Sequence, residues 1–194
     1  VNPDPIVKLL GADTLRHYEM FLGPFDQAIA WNEEAIAGSR RFLERVFKLF
    51  EKVEKNKASK KQDLDENLEQ LFNQTIKKVT EGIEGLKMNT ALSQLMILLN
   101  SFEKKEKVPR AYYETYLKLL APFVPHIAEE LWNLMGERSS IHLEQWPKWN
   151  PKKLQSEISL VPVQINGKVR ATVSIGRDLD DDAARGVALA HPVI

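Results

Sequence analysis

The chain has 194 residues, no cysteine, and 27 basic against 27 acidic side chains, for a formal charge of zero. That length can bury roughly 70% of the unfolded surface without a covalent staple, and the lack of cysteine excludes a disulfide framework and any thiolate metal site, in keeping with the cytosol. The longest purely apolar run, Leu95 to Leu99, is far short of the roughly 18 to 20 residues of a membrane-spanning helix, and zero net charge excludes a global field toward nucleic acid, so any basic surface must be local.

The first segments read as two short helices, Pro5 to Leu10 and Ala12 to Leu22, punctuated by Gly11 and by Gly23-Pro24. A long helix follows over Glu33 to Val53, its apolar stripe formed by Ile36, Leu43, Val46, Phe47, Phe50 and Val53, with Arg41, Arg45, Lys48 and Lys52 mostly on the other side. Between Ser39 and Lys61 nine basic residues stand against three acidic ones. This is the strongest phosphate-binding candidate in the sequence, and the plain alternative is a solvated helix face running into a lysine-rich loop. Asp63 can cap a second helix with Leu64, Leu68, Leu71, Thr75, Val79 and Ile83 on one side, and Lys87 to Lys104 forms a third, striped by Met88, Leu92, Leu95, Leu99 and Phe102.

The run Leu119 to Trp132, L-L-A-P-F-V-P-H-I-A-E-E-L-W, joins a fourth helix to a fifth. Pro122 and Pro125 disfavour helical geometry at Ala121 and Val124, so one helix ends near Ala121 and the next begins at Pro125. Glu129 and Glu130 then complement the positive end of the new helix, Ile127, Leu131 and Leu134 repeat at helical spacing, and Gly136 stops it. Short connections favour antiparallel neighbours, hence an up-and-down bundle. His126, with no serine, cysteine or second ligand near it in sequence, reads as a structural hydrogen-bonding group and not as a catalytic base. Trp132, Trp146 and Trp149 read as plugs at the end of the bundle more readily than as base-stacking platforms. A composition change at Trp146 to Lys153 marks a linker. Beyond it, Ile158 to Ile165 and Val169 to Ile175 flank Asn166-Gly167 as a β-hairpin, with Pro162 arguing for an edge strand and Asp178 or Asp180 capping a helix over Asp181 to Ala190.

Several segments carry a family resemblance. The L-L-A-P-F-V-P-H-I-A-E-E-L-W run is similar to the anticodon-binding bundle of the class I aminoacyl-tRNA synthetases for leucine, valine, isoleucine and methionine. G-A-D-T-L-R-H-Y-E-M-F-L-G-P at 11 to 24 and V-P-V-Q-I-N-G-K-V-R at 161 to 170 resemble the leucyl-tRNA synthetase family of bacterial type. Trp31, R-F-L-E-R-V-F at 41 to 47 and M-N-T-A-L at 88 to 92 follow that family's order. The resemblance departs at His17 and Phe47, where the family pattern has leucine and tryptophan, and it weakens after Ile175.

The resemblance implies a mainly α fold: an antiparallel helix bundle with a small, incomplete α/β appendage. Residues 1 to 30 would be a stem-contact region, 31 to 150 the anticodon-binding bundle, and 151 to 194 part of a C-terminal domain. It implies leucine tRNA as partner, together with catalytic and editing domains of the same enzyme lying upstream, since neither H-I-G-H nor K-M-S-K-S occurs in the chain. The chain by itself is then expected neither to activate leucine nor to hydrolyse mischarged tRNA, and to hold no cofactor of its own, with ATP and magnesium belonging to the whole enzyme. The implied tRNA contacts are Arg40, Arg41, Arg45 and Lys48 on the long helix and Lys168 and Arg170 in the hairpin. Arg16, Tyr18 and Glu19 would lie toward the tRNA acceptor side or the catalytic domain, the alternative for Arg16 being a carboxylate partner. Pro122, Pro125, His126 and Trp132 would be structural, and apolar surface near the N-terminus would be left exposed. In the leucine family the bundle is not expected to read the anticodon bases. Two rival readings stand beside this one: a module of an isoleucyl- or valyl-tRNA synthetase, and a helical protein-interaction scaffold with no RNA role.

Overall fold

The computed structural model describes residues 2–54, 64–154, 158–165, 168–176, 185–187 and 189–190. The chain divides into two compact units, Val1–Asn150 and Pro151–Ile194.

In the first unit, α1 (Pro3–Leu10) starts two residues earlier than the sequence suggests, because Asn2 accepts a hydrogen bond from the Asp4 amide at 3.0 Å and Pro3 takes the first helical position. Gly11, at φ +88°, turns the chain into α2 (Ala12–Phe21). Asn32 caps α3 (Glu33–Leu49), which tightens into a single 3-10 turn at Phe50–Lys52 instead of continuing to Val53 as an α-helix. Val46 is fully buried at the centre of α3's apolar face, flanked by Phe42, Leu43 and Leu49, whereas Phe47 is 47% exposed. Phe47 thus falls outside the core stripe expected for it; it stands one position round from Val46, at the rim of the buried arc.

The helix α4 (Glu66–Glu84) is capped by Asp65, whose carboxylate accepts from the Leu68 amide at 3.0 Å. The cap is thus Asp65 and not the expected Asp63, which lies outside the described residues. α4 packs against α5 (Met88–Glu103), and their approach is close at Gly82, where a side-chain carbon would stand 3.0 Å from the Ala91 Cβ. The expected α4 stripe needs Phe72 and Ile76 added to it, both buried. Leu92, Leu95, Leu98, Leu99 and Phe102 of α5 are fully buried, each leucine contributing roughly 1.5 to 3 kcal/mol. The two helices are joined by a Schellman turn in which the Lys87 amide donates to Gly82 O at 2.7 Å and the Leu86 amide to Ile83 O at 3.2 Å. Leu86 takes the left-handed position at φ +55°, a conformation that costs a leucine roughly 1 to 2 kcal/mol.

Pro109 precedes α6 (Arg110–Leu120), and Pro125 opens α7 (Pro125–Leu134). Val124 leaves helical geometry ahead of Pro125 as expected, at φ -134° and ψ 72°, whereas Ala121 stays helical ahead of Pro122, at φ -53° and ψ -39°, because its amide still donates to Leu117 O as the last turn of α6 closes. Gly136, at φ +82°, closes α7. The buried face of α7 is Ala128, Leu131 and Trp132. Leu134 is 48% exposed, a departure from the expected stripe, because the core side of the helix runs through Leu131 to Met135. Trp132 is buried and its indole donates to Ser139 O at 2.9 Å. Trp149 packs against the core, while Trp146 is partly exposed and donates to Thr80 Oγ1.

In the second unit β1 (Ile158–Ile165) pairs antiparallel with β2 (Lys168–Gly176). Ile165 pairs with Lys168 on either side of Asn166-Gly167, which lies outside the described residues. The register shifts between Val163 and Gln164, whose partners are Ala171 and Val169, so Arg170 is the extra residue of a β-bulge. Residues 185–187 and 189 are helical; the proposed caps Asp178 and Asp180 and the start of that helix lie outside the described residues.

Candidate nucleic-acid interface

The basic side chains of α3 divide into two sets. Arg40 is paired with Glu44 at 2.8 Å and donates to Leu10 O at 3.3 Å, where it meets the C-terminal end of α1. Arg45 reaches across to α5 and holds Glu103 through two nitrogens, with Asn100 as a further acceptor. The hydrogen bond to Glu103 raises the Arg45 pKa, and the same bond holds the Glu103 carboxyl below its usual range. Both side chains are about a third or more exposed, so the pair contributes little to stability and mainly fixes where the guanidinium sits. Lys52 donates to Glu103 O at 2.7 Å and Lys105 O at 3.2 Å, covering the carbonyl end of α5.

Arg41 and Lys48 form the other set. Both are exposed, and neither has an ion-pair partner among the described residues. They are seven residues apart, two turns of helix, and so project from one face. Phe47 is exposed beside them. Of the four α3 residues named from sequence, Arg41 and Lys48 are free to meet a solution partner, whereas Arg40 and Arg45 are already engaged within the chain.

The N-terminal candidates have a different setting. Arg16 donates to two backbone carbonyls, Pro122 O at 3.0 Å and Phe123 O at 3.3 Å, in the turn after α6, so the carboxylate partner considered for it is replaced by the chain itself. One turn earlier on α2, the buried Asp13 carboxylate accepts from the Ile127 amide at 2.7 Å and lies 2.7 Å from His126 Nδ1. The positive end of α7 is therefore met by Asp13, a residue the sequence reading did not single out, and not by Glu129 or Glu130. Glu129 instead accepts from Ser140 Oγ and the Ile141 amide, both at 3.0 Å, and secures the loop after α7. Tyr18 is buried, with its hydroxyl between the Asn32 carbonyl and amide at the start of α3; Glu19 is exposed. Close by, Val7, Leu9, Phe21, Phe25 and Ile29 expose apolar surface.

In the second unit Arg170 is exposed at its bulge. The Lys168 backbone belongs to β2, and its side chain lies outside the described residues. Among the described residues no group of histidine and acidic side chains is arranged to hold a metal ion, and no helix is long and apolar enough to cross a membrane.

Residues 65–185 match the family model described as the anticodon-binding domain of tRNA ligase. The structure is also similar to a chain in the crystal structure of the ternary agnB2 LeuRS-tRNA-LeuAMS complex of Agrobacterium radiobacter K84, with a TM-score of 0.82 and 31% sequence identity. That similarity covers 99% of this chain and 27% of the other.

Proposed function

We propose that this chain, which belongs to the anticodon-binding domain family of tRNA ligases, docks leucine tRNA through backbone contacts and holds it in register for leucylation carried out elsewhere in a longer enzyme. The observation that carries this reading is the 31% identity to a leucyl enzyme sustained over 99% of the chain. The exposed Arg41 and Lys48 supply the charge for it. Phosphate contacts position an RNA without reading its sequence and weaken with salt as counterions return to the backbone. Leucine activation, with its ATP and magnesium, is assigned to the part of the longer enzyme that this chain does not span, and the cytosol is the compartment in which such an enzyme would work. Lys168 and Arg170 are proposed as a further contact, with the bulge setting the direction of Arg170.

The test is titration of the chain with leucine tRNA and with an isoleucine tRNA at two salt concentrations. Binding that weakens steeply with salt and favours the leucine tRNA is the expected result. Equal or stronger binding of the isoleucine tRNA would move the reading to another member of the family, and an absence of binding to either would leave a protein-interaction scaffold.

A further inference from the structure

We infer that the phosphate-docking surface extends beyond α3 onto the turn between α5 and α6, through Lys104 and Lys107. This rests on the tRNA-docking reading and adds residues to it. Val53 and Val108 form an isolated parallel bridge, in which the Val108 amide donates to Lys52 O at 3.0 Å and the Glu54 amide to Val108 O at 3.1 Å. Both valines are buried. Lys52 ends the 3-10 turn one residue before Val53, and Lys107 immediately precedes Val108, so the bridge brings these two lysines' backbones alongside one another. The Lys52 ammonium rests on the carbonyls of Glu103 and Lys105, the residues on either side of Lys104. Lys48, one turn before Lys52, is near enough to Glu103 to help hold its carboxyl in the charged form.

The turn therefore joins the end of α3 in one basic ridge. Lys104 and Lys107 are exposed, and neither has an ion-pair partner among the described residues. Lys105 differs, being paired with Asp65. Of the carboxylates in these segments, Asp65 and Glu103 are each bound to a cation and Glu54 has a partner within the chain, leaving Glu51 and Glu106 as the exposed anions. Lys104 borders an open hollow whose lining also includes the Asp65 carboxylate, Leu68 and Leu71, a poor seat for a compact anion; separate lysine ammonium groups along a ridge better suit a phosphodiester chain, since each makes a point contact with one phosphate along a track.

The experiment is the salt dependence of leucine tRNA binding for the chain carrying Lys104→Glu with Lys107→Glu, beside the unaltered chain, Arg41→Glu with Lys48→Glu, and Lys87→Glu at the opposite end of α5, with far-UV circular dichroism checking the fold of each. The slope of log affinity against log salt is expected to fall by about 1.5 to 2 for the Lys104/Lys107 pair and to stay unchanged for Lys87→Glu. An unchanged slope for the pair, alongside a lowered slope for Arg41/Lys48, would overturn the extension and leave the docking reading standing. A loss for Lys87→Glu half as large as that for the pair, in proportion to the charge changed, would reduce the effect to net charge and overturn it too. Failure of the unaltered chain to bind tRNA would overturn both.

Discussion

Replacing Asp13 by alanine is expected to destabilise the chain by about 2 to 3 kcal/mol, one of the two largest losses anticipated from a single polar side chain. The α6–α7 junction brings the carbonyl end of one helix and the amide end of the next to the same side of α2. Aligned peptide dipoles make the first negative and the second positive. Two residues three apart on α2 complement both: Arg16 donates to Pro122 O and Phe123 O, and Asp13 accepts from the Ile127 amide and bonds with His126. Because Asp13 is buried, alanine leaves the Ile127 amide without its acceptor and without easy access to water. Arg16 is exposed, so Arg16→Ala should cost less, about 1 kcal/mol. Urea unfolding of both single variants and the double variant gives the coupling between them. A stability for Asp13→Ala within about 0.5 kcal/mol of the unaltered chain would show that the junction holds itself. This pair ties α2 to the α6–α7 junction, with the Arg16 guanidinium engaged by the Pro122 and Phe123 carbonyls.

The second large effect is a pH dependence centred on His17. The ring is fully buried, Nδ1 lies 2.9 Å from Ser39 Oγ, Nε2 has no partner, and Phe21 and Phe42 pack on it. Burial lowers its pKa from 6.5 to about 4. Leaving an acceptor lone pair unpartnered is less costly than leaving an N–H so, which favours the tautomer with Nδ1–H donating to Ser39. Between pH 6.5 and about 4 the unfolded chain binds a proton that the folded chain refuses, so stability falls as pH drops through that window and is level above it. At about 1.4 kcal/mol per pKa unit the loss is roughly 3 kcal/mol. His17→Leu should remove that part of the acid sensitivity: the difference in unfolding free energy between the two chains is expected to change by about 3 kcal/mol between pH 7 and pH 4. Parallel stability curves for the two chains would contradict this.

The helices were legible because their apolar stripes are long and their ends carry local signals: Pro122 and Pro125 at the α6–α7 turn, Gly136 at the end of α7, and a change to β-branched alternation after Trp149. Errors arose where periodicity offered neighbouring choices. Phe47 lies four residues from Leu43 and three from Phe50, which suits a helical stripe, yet the buried arc centres on Val46 and takes in Phe42 and Leu49. Leu134 repeats the same ambiguity beside Met135. The site was less legible than the fold, since charge commitments are long-range. Nothing local in the sequence indicates that Arg45 is held by Glu103, or that Asp13 caps a helix more than a hundred residues away. Counting charges along a continuous window found α3 and missed Lys104 and Lys107, which reach the same ridge only through the pairing of Val53 with Val108.

In the proposed docking, α3 presents Arg41 and Lys48 to an RNA backbone while Arg40 and Arg45 are engaged within the chain. The most direct measurement is the salt dependence of leucine tRNA affinity for Arg41→Glu with Lys48→Glu against the unaltered chain. The expected slope is shallower by about 1.5 to 2, with the unfolding midpoint retained. An unchanged slope in a folded variant would contradict it and place any RNA contact on another surface.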